Sequence, residues 1–178
     1  TKGWLEMMAV HEGYPGHHAH FVKTKSSKLP ASFTTGTTAA DYLVEGIAHR
    51  SERLLEDLFP DRAYRLFVAF RRLHCALRIK AEIDLHLYER PAEETIEEYM
   101  SVMNFDRHSA VVQTQAHRVQ PGRALSYYTG MRTLEAARTR LGIDERSFAE
   151  IIFSYGNVSL NTMVALLEMG SADRSAAK

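Results

Sequence analysis

The run from Asp61 to Arg90 constrains the fold most, because it holds neither glycine nor proline and repeats its apolar residues with helical spacing. Those apolar residues are Leu66, Phe67, Phe70, Leu73, Leu77, Ile83 and Leu87. Apolar side chains three and four residues apart share one face of an α-helix. Asp61 suits the N-cap position, and Pro91 cannot continue a helix. The run therefore predicts one very long helix.

The remaining segments carry the same helical signal, and none shows a strand pattern. Further helices are expected over residues 4–23, 41–59, 92–103, 107–118, 124–141, 147–154 and 160–169. Asp41 is expected to cap the second of these, and Pro15-Gly16 interrupts the first. Residues 26–38 are rich in Ser, Thr, Gly and Pro, which predicts a loop. We expect an all-α fold, with residues 1–178 forming a single metal-binding helical domain.

Composition limits the partners that this chain can have. The 22 Lys and Arg residues balance 22 Asp and Glu residues, which argues against a nucleic-acid or anionic-membrane surface. No apolar run approaches the roughly 20 residues that span a bilayer. No signal peptide opens the chain, and Cys75 is the single cysteine, so we expect a cytoplasmic location. The start without Met, in an apolar helical pattern, favours a fragment or one chain of a split protein.

Histidines concentrate near the start of the chain, beside Glu12. Four of the nine, His11, His17, His18 and His20, fall within ten residues. The plain interpretation is a solvated helix face. The alternative is a zinc site, because His-Glu-x-x-His on a helix places two imidazoles one turn apart, with the glutamate as general base. Here the second histidine follows six residues after the first.

The Pro15-Gly16 pair offers a route around that spacing. A regular helix would separate His11 and His17 by about 9 Å along its axis, too far for one ion with bonds of about 2.0–2.1 Å. Pro15 has no N–H to return to the carbonyl of His11, so the helix must kink or bulge. Gly16 accepts whatever dihedral angles this requires. We therefore favour His17 as the second ligand, with His18 as the competing one.

Glu45 is the best candidate for a third ligand. It lies in the run Leu-Val-Glu-Gly-Ile-Ala, and a carboxylate on an apolar helix face needs a cation. An ion pair with an arginine is the alternative, while Gly46 permits close approach of another backbone. Glu52, on a similar face, is expected to support the ligands. His49 could also bind, but a solvated helix residue is the favoured interpretation.

Three segments together resemble one protein family. The segments are His-Glu-Gly-Tyr-Pro-Gly-His-His, Val-Glu-Gly-Ile-Ala and Gln-Pro-Gly-Arg-Ala-Leu-Ser-Tyr-Tyr-Thr-Gly. Their order resembles that of the DUF885 family, whose members are gluzincin-like metallopeptidase-type proteins with a His-Glu-x-x-Pro-Gly-His-His motif. The resemblance runs from about Val10 to Glu168 and corresponds to the C-terminal part of longer members. It implies an all-α peptidase-like fold. It also implies a divalent metal, Zn²⁺ before Fe²⁺ or Mn²⁺, held by His11, His17 and Glu45, with Glu12 as base.

The resemblance further implies a pocket segment over residues 118–130. Tyr127 would be a pocket phenol that donates to a developing oxyanion, and His18, Arg118 and His86 would line the site. The alternatives are a core tyrosine, a surface ion pair for Arg118 and an ordinary helix residue for His86.

Three positions depart from the family pattern. Ile47 replaces a tryptophan, Arg123 a glutamine, and His20 a residue that is often glutamine. Arg123 would bring a positive charge that favours a carboxylate-bearing substrate, or the site has been remodelled for other chemistry.

The leading expectation is a metal-dependent hydrolase that acts on an amide or peptide-like bond of a small molecule or peptide. Two histidines and a carboxylate also form the ligand set of non-haem Fe(II) enzymes, which is the first alternative. The second is a non-catalytic, metal-stabilised module that completes another chain. A companion N-terminal chain or a homo-oligomer would then cover its apolar start.

Overall fold

The computed structural model describes residues 1–34, 40–59 and 61–176, and within them it confirms the all-α prediction, with ten helices and no strand. The helices are α1 (Lys2–Glu12), α2 (His17–Ser26), α3 (Ala31–Thr34), α4 (Asp41–Leu54), α5 (Arg62–His86), α6 (Ala92–Met103), α7 (Arg107–Val119), α8 (Leu125–Arg140), α9 (Glu145–Ser154) and α10 (Leu160–Ala176).

The first of two compact units comprises Thr1–Val68 and Tyr127–Lys178. In it α4 is the central element, since α1, α2 and α10 all contact it. The larger apolar cluster includes Leu43, Ile47, Leu134, Phe148, Ile152, Met163 and Leu167. A smaller cluster joins α1 to the start of α5 through Met7, Val10, Tyr64 and Val68. Helix α1 also contacts α4 directly, so the helices that carry the first and third candidate ligands pack against each other.

The second unit comprises Ala69–Ser126. Helices α6 and α7 pack together, and the core consists of Leu77, Ala81, Ile96, Tyr99, Met103 and Ala110. The expectation of a single domain stays a prediction.

Aspartate caps set several helix starts. The Asp61 carboxylate accepts from a backbone N–H two residues on, at 2.9 Å, as expected. Asp144 caps α9 by accepting from the Ser147 N–H at 3.0 Å, so this helix begins two residues before the predicted start. The prediction for Asp41 is wrong, because Ala40 occupies the N-cap. Asp41 is the first helical residue, where the helix dipole stabilises its carboxylate.

Other helix limits also differ from the sequence-based expectation, and α10 extends to Ala176 instead of residue 169. The first segment forms two helices, not one kinked helix, and the predicted loop contains α3. Helix α4 ends at Leu54 because three-residue turns follow, among them Leu58 N–H to Leu55 O at 3.0 Å. Helix α5 ends before Pro91 because Glu89 takes a left-handed conformation (φ 50°). Residues 35–38 of the predicted loop, and Pro60, lie outside the described residues.

Helices α4 and α8 cross at two glycines. A Cβ on Gly46 would lie 2.6 Å from the Gly130 carbonyl carbon, and one on Gly130 would lie 1.9 Å from the Tyr42 carbonyl oxygen. Only glycine permits such backbone contact. The close approach expected at Gly46 is therefore present, and it brings α8 beside the residue that follows Glu45.

Candidate metal centre

A four-residue turn joins α1 to α2 and sets the position of His17. Helix α1 ends at Glu12, and the Gly13 N–H donates to Ala9 O at 2.8 Å. The Tyr14–Pro15 peptide bond is cis, and the Gly16 N–H turns back to Val10 O at 3.1 Å. The chain thus returns to the end of α1 before α2 begins, so His17 starts a new helix next to the last turn of the old one.

Gly16 is the residue on which this return depends. A Cβ at this position would lie 1.9 Å from His11 O and 2.4 Å from Val10 O. Any other residue would push α2 away from the end of α1. The sequence-based argument assigned Gly16 a role in dihedral freedom; the structure shows that its lack of a side chain is what matters.

Helices α1, α2 and α4 bring three side chains together. Nε2 of His11 lies 3.6 Å from Oε2 of Glu45, and Nε2 of His17 lies 3.4 Å from the same oxygen. The two imidazole rings stand nearly perpendicular, with centroids 4.9 Å apart. His11 is buried, and His17 and Glu45 are each 14% exposed. His18 is exposed, so His17 is the histidine that meets His11.

The geometry of this cluster fits a tetrahedrally coordinated cation. Bonds of about 2.0–2.1 Å at tetrahedral angles place ligand atoms about 3.3 Å apart, close to the two measured distances. One ligand atom from each residue lies within 4.8 Å of the others. Within the described parts of the chain, Glu45 forms no ion pair with an arginine or lysine. The arginine alternative for Glu45 is therefore not what the structure contains.

Glu52 holds His11 from the side opposite the cluster. Its Oε1 lies 2.7 Å from Nδ1 of His11, and the glutamate is fully buried. An ionised carboxylate can only accept, so Nδ1 carries the proton and Nε2 presents a lone pair to Glu45. Burial alone would raise the pKa of Glu52, but hydrogen bonds from His11 and His49 lower it to about 2. This is the supporting position expected for Glu52.

The Glu45 carboxyl is also ionised. Burial acts to raise its pKa, but hydrogen bonds with His11 and His17, and the charges of both rings, hold it well below its ordinary value. Nε2 of His11 therefore lies 3.6 Å from an ionised carboxylate, so a lone pair on this nitrogen would put two acceptors opposite each other. Two acceptors at this distance repel each other unless a proton or a metal cation lies between them.

The proposed base and phenol both belong to the first unit. Glu12 is the last residue of α1, and its side chain is exposed. Tyr127 lies in the first turn of α8, three residues before the Gly130 contact with α4, and it is half-buried. Glu12 thus lies on a helix that carries a cluster residue, and Tyr127 on a helix that contacts α4, which carries another.

Three predicted site residues belong to the second unit. His86 is the last residue of α5, and its Nε2 can donate a hydrogen bond to the backbone oxygen of His117 at 3.1 Å. Arg118 is exposed on α7, and Arg123 is exposed, with its Nη1 donating to Gln120 Oε1 at 3.3 Å. Their part in the metal centre stays a prediction.

The expectation that His49 is solvated is wrong. His49 is fully buried, and its Nδ1 lies 3.1 Å from the Oε1 of Glu52 that also meets His11. A signal was available in the sequence, because His49 and Glu52 are three residues apart and therefore share a helix face.

A buried polar chain in the second unit also went unnoticed in the sequence. His117 lies between Oε1 of Glu82, 2.8 Å from its Nδ1, and the Tyr99 hydroxyl, 2.8 Å from its Nε2. The other Glu82 oxygen accepts from the Gly122 N–H at 3.0 Å. Since the bonded partners are 18 to 40 residues apart in sequence, no local pattern indicates this chain of bonds.

His20 takes no part in the cluster. It is buried between the rings of Phe21 and Phe153. Burial, with a smaller contribution from the charge of His17, lowers its pKa to about 4, so it is neutral at pH 7. The local concentration of histidines therefore combines site residues with a core residue.

Solved structures resemble this chain, and two of them are described as lipoproteins. One is described as a "putative lipoprotein" from Colwellia psychrerythraea, with 23% identity, a TM-score of 0.86, and coverage of 97% of this chain and 31% of that chain. The other, a "putative lipoprotein of unknown function" from Shewanella oneidensis, has 22% identity, a TM-score of 0.80, and coverage of 92% and 31%. At this level of identity the likeness shows the fold alone. The chain spans about a third of the length of these structures.

The expectation of a cytoplasmic location is contradicted by these relatives, because both carry the description of lipoproteins. That expectation rested on the absence of a signal-peptide pattern and on the single cysteine, and lack of a disulfide does not report the compartment of a protein whose core needs none. None of the described helices is long and apolar enough to span a membrane.

The family comparison covers nearly the whole chain. No curated protein matches it. The family described as "bacterial protein of unknown function (DUF885)" matches residues 2–167, which include the turn at Pro15-Gly16, Glu45 and Tyr127. The chain therefore belongs to the DUF885 family.

Proposed function

We propose that this chain carries the metal centre of a zinc-dependent hydrolase acting on amide or peptide-like bonds. One observation carries the proposal: Nε2 of His11 and the Glu45 carboxylate face each other at 3.6 Å, and Nε2 of His17 lies 3.4 Å from the same oxygen. Glu52 keeps the His11 proton on the far nitrogen. Two histidines, one carboxylate and one open position form a common catalytic zinc site.

The three ligands would hold the cation, and other residues of the chain would do the remaining work. A bound zinc ion supplies Lewis acidity and lowers the pKa of water toward 7. Glu12, exposed at the end of α1, takes the proton from the attacking water and later returns it to the leaving amine. Tyr127 donates a hydrogen bond to the oxygen on which charge develops.

The substrate class follows from the same chemistry. A general base next to a Lewis acid suits an acyl carbon, and an amide is the acyl compound whose leaving group most needs the returned proton. Small molecules and peptides with such a bond are the candidate substrates.

The variant Glu12→Gln tests the proposal. We expect it to keep bound zinc, measured by elemental analysis after purification without added metal, while hydrolysis of a mixed peptide library falls by at least about 100-fold. His108→Leu, which removes an exposed histidine from α7, serves as the control with unchanged zinc content and activity. Full activity of Glu12→Gln would refute the base assignment. Iron in place of zinc, with oxygen-dependent turnover, would refute the hydrolase.

A further inference from the structure

A single carboxylate oxygen serves two buried histidines behind the metal centre. Oε1 of Glu52 lies 2.7 Å from Nδ1 of His11 and 3.1 Å from Nδ1 of His49. His49 and Glu52 are both fully buried. The Tyr64 hydroxyl donates to the Glu52 backbone carbonyl at 2.7 Å, so the end of α4 that carries the carboxylate is also fixed.

The two histidines differ in what their second nitrogen meets. Because the carboxylate can only accept, Nδ1 of each ring carries a proton. Nε2 of His11 then points its lone pair at the cluster with His17 and Glu45. Nε2 of His49 is buried, has no hydrogen-bond partner among the described residues, and is outside that cluster. His49 thus meets the site through Nδ1 and Glu52 alone.

We propose that His49 is a positioning residue, which orients the Glu52 carboxylate and through it fixes the ring of His11 for the metal. The inference rests on the proposed function only in taking the cation to be bound by His11, His17 and Glu45. A carboxylate behind a ligating histidine fixes the tautomer and ring orientation and increases ligand basicity. With a donor on each side of Oε1, the carboxylate cannot rotate away from His11 without leaving a buried proton unpaired.

The register of α4 explains why one residue can have this role. His49 lies one turn before Glu52 and four residues after Glu45, so all three project from neighbouring positions on one helix. The helix therefore supplies a ligand, the carboxylate that supports a ligand, and the group that orients this carboxylate.

Three variants at position 49 separate the role of Nδ1 from packing. His49→Leu removes both nitrogens and keeps an apolar side chain of similar size. The amide nitrogen of His49→Asn takes the place of Nδ1, whereas that of His49→Gln takes the place of Nε2. His108→Leu is the matched control, since it removes an exposed histidine from the second unit.

The measurements are zinc affinity, by competition with a fluorescent chelator at pH 7.5, and the visible absorption spectrum of the Co²⁺-loaded protein. We expect His49→Leu to weaken zinc binding by about tenfold, the lower part of the range for residues behind a ligand. Its Co²⁺ spectrum should change as well. His49→Asn should restore both, and His49→Gln neither. Thermal unfolding with chelator present reports on folding of each variant.

Wild-type zinc affinity in His49→Leu would overturn the proposal. So would equal weakening by the Asn and Gln variants, because the position of the donor would then be irrelevant. If His49→Leu does not fold, the comparison of Asn with Gln decides alone. Zinc binding without hydrolysis would refute the proposed reaction and leave this inference standing, whereas a wild-type protein that binds no zinc would overturn both.

Discussion

The variant Gly16→Ala should separate the two histidines of the cluster. The new Cβ would lie 1.9 Å from the His11 carbonyl oxygen, and real Cβ atoms do not approach within 3.0 Å. The end of α1 and the start of α2 must therefore move apart by about 1.1 Å. Zinc–ligand distances tolerate only about 0.2 Å, so His17 would leave the site. We expect zinc affinity to fall by more than about 100-fold, more than for loss of a residue behind a ligand.

Stability should fall as well, by about 3 kcal/mol, the upper range for an overpacked site. Chelator competition gives the affinity, and denaturant unfolding of the metal-free protein gives the stability. Gly170→Ala is the control, because its Cβ would meet no atom within 4 Å and alanine is a better helix former by about 1 kcal/mol. Zinc affinity of Gly16→Ala within threefold of wild type would show that the close approach at Gly16 does not place His17.

Three other variants test separate parts of the first unit. In the folded protein the pKa of His20 is about 4, against an ordinary 6.5, so its stabilisation of the fold is complete above pH 6.5. About 3 kcal/mol of this stabilisation is lost as the pH falls toward 4. His20→Leu should therefore make the stability of the metal-free protein less dependent on pH over this range, and an unchanged dependence would contradict the assignment. Arg50 is buried and donates to both carboxylate oxygens of Glu145, through Nη1 at 2.6 Å and through Nη2. Because lysine cannot form this bidentate pair, Arg50→Lys should lower the free energy of unfolding in denaturant by about 2 kcal/mol. Wild-type stability of this variant would show that the bidentate geometry is unimportant. Tyr127→Phe should lower kcat of the proposed hydrolase by at least about tenfold with zinc content unchanged, and an effect on KM alone would place the phenol in substrate binding.

Local patterns in the sequence were enough for the helical fold and for the residues that meet at the cluster. The helical spacing of apolar residues and the capping residue Asp61 predicted α5. The Pro15-Gly16 pair indicated that His17 could return to His11, because proline denies the helix a hydrogen bond. Both arguments use residues close together in sequence, where covalent geometry restricts the outcome.

Contacts between distant residues could not be predicted in the same way. The backbone crossing of Gly46 and Gly130 depends on how α4 and α8 pack. The burial of His49 depends on α1 covering that face of α4. A polar residue near a helix face is solvated or buried according to what lies above it, and one sequence does not contain that information.

The crossing of α4 and α8 has a mechanical consequence. The two backbones approach closely at Gly46 and Gly130, so a rocking motion of α8 with this crossing as its pivot would displace the nearest residues least. Tyr127 lies three residues from that pivot, a lever arm of about 4.5 Å along the helix. A rotation of about 10° would shift its Cα by less than about 1 Å. Rocking about this pivot would therefore leave the first turn of α8 close to its place beside α4 while the far end of the helix moves.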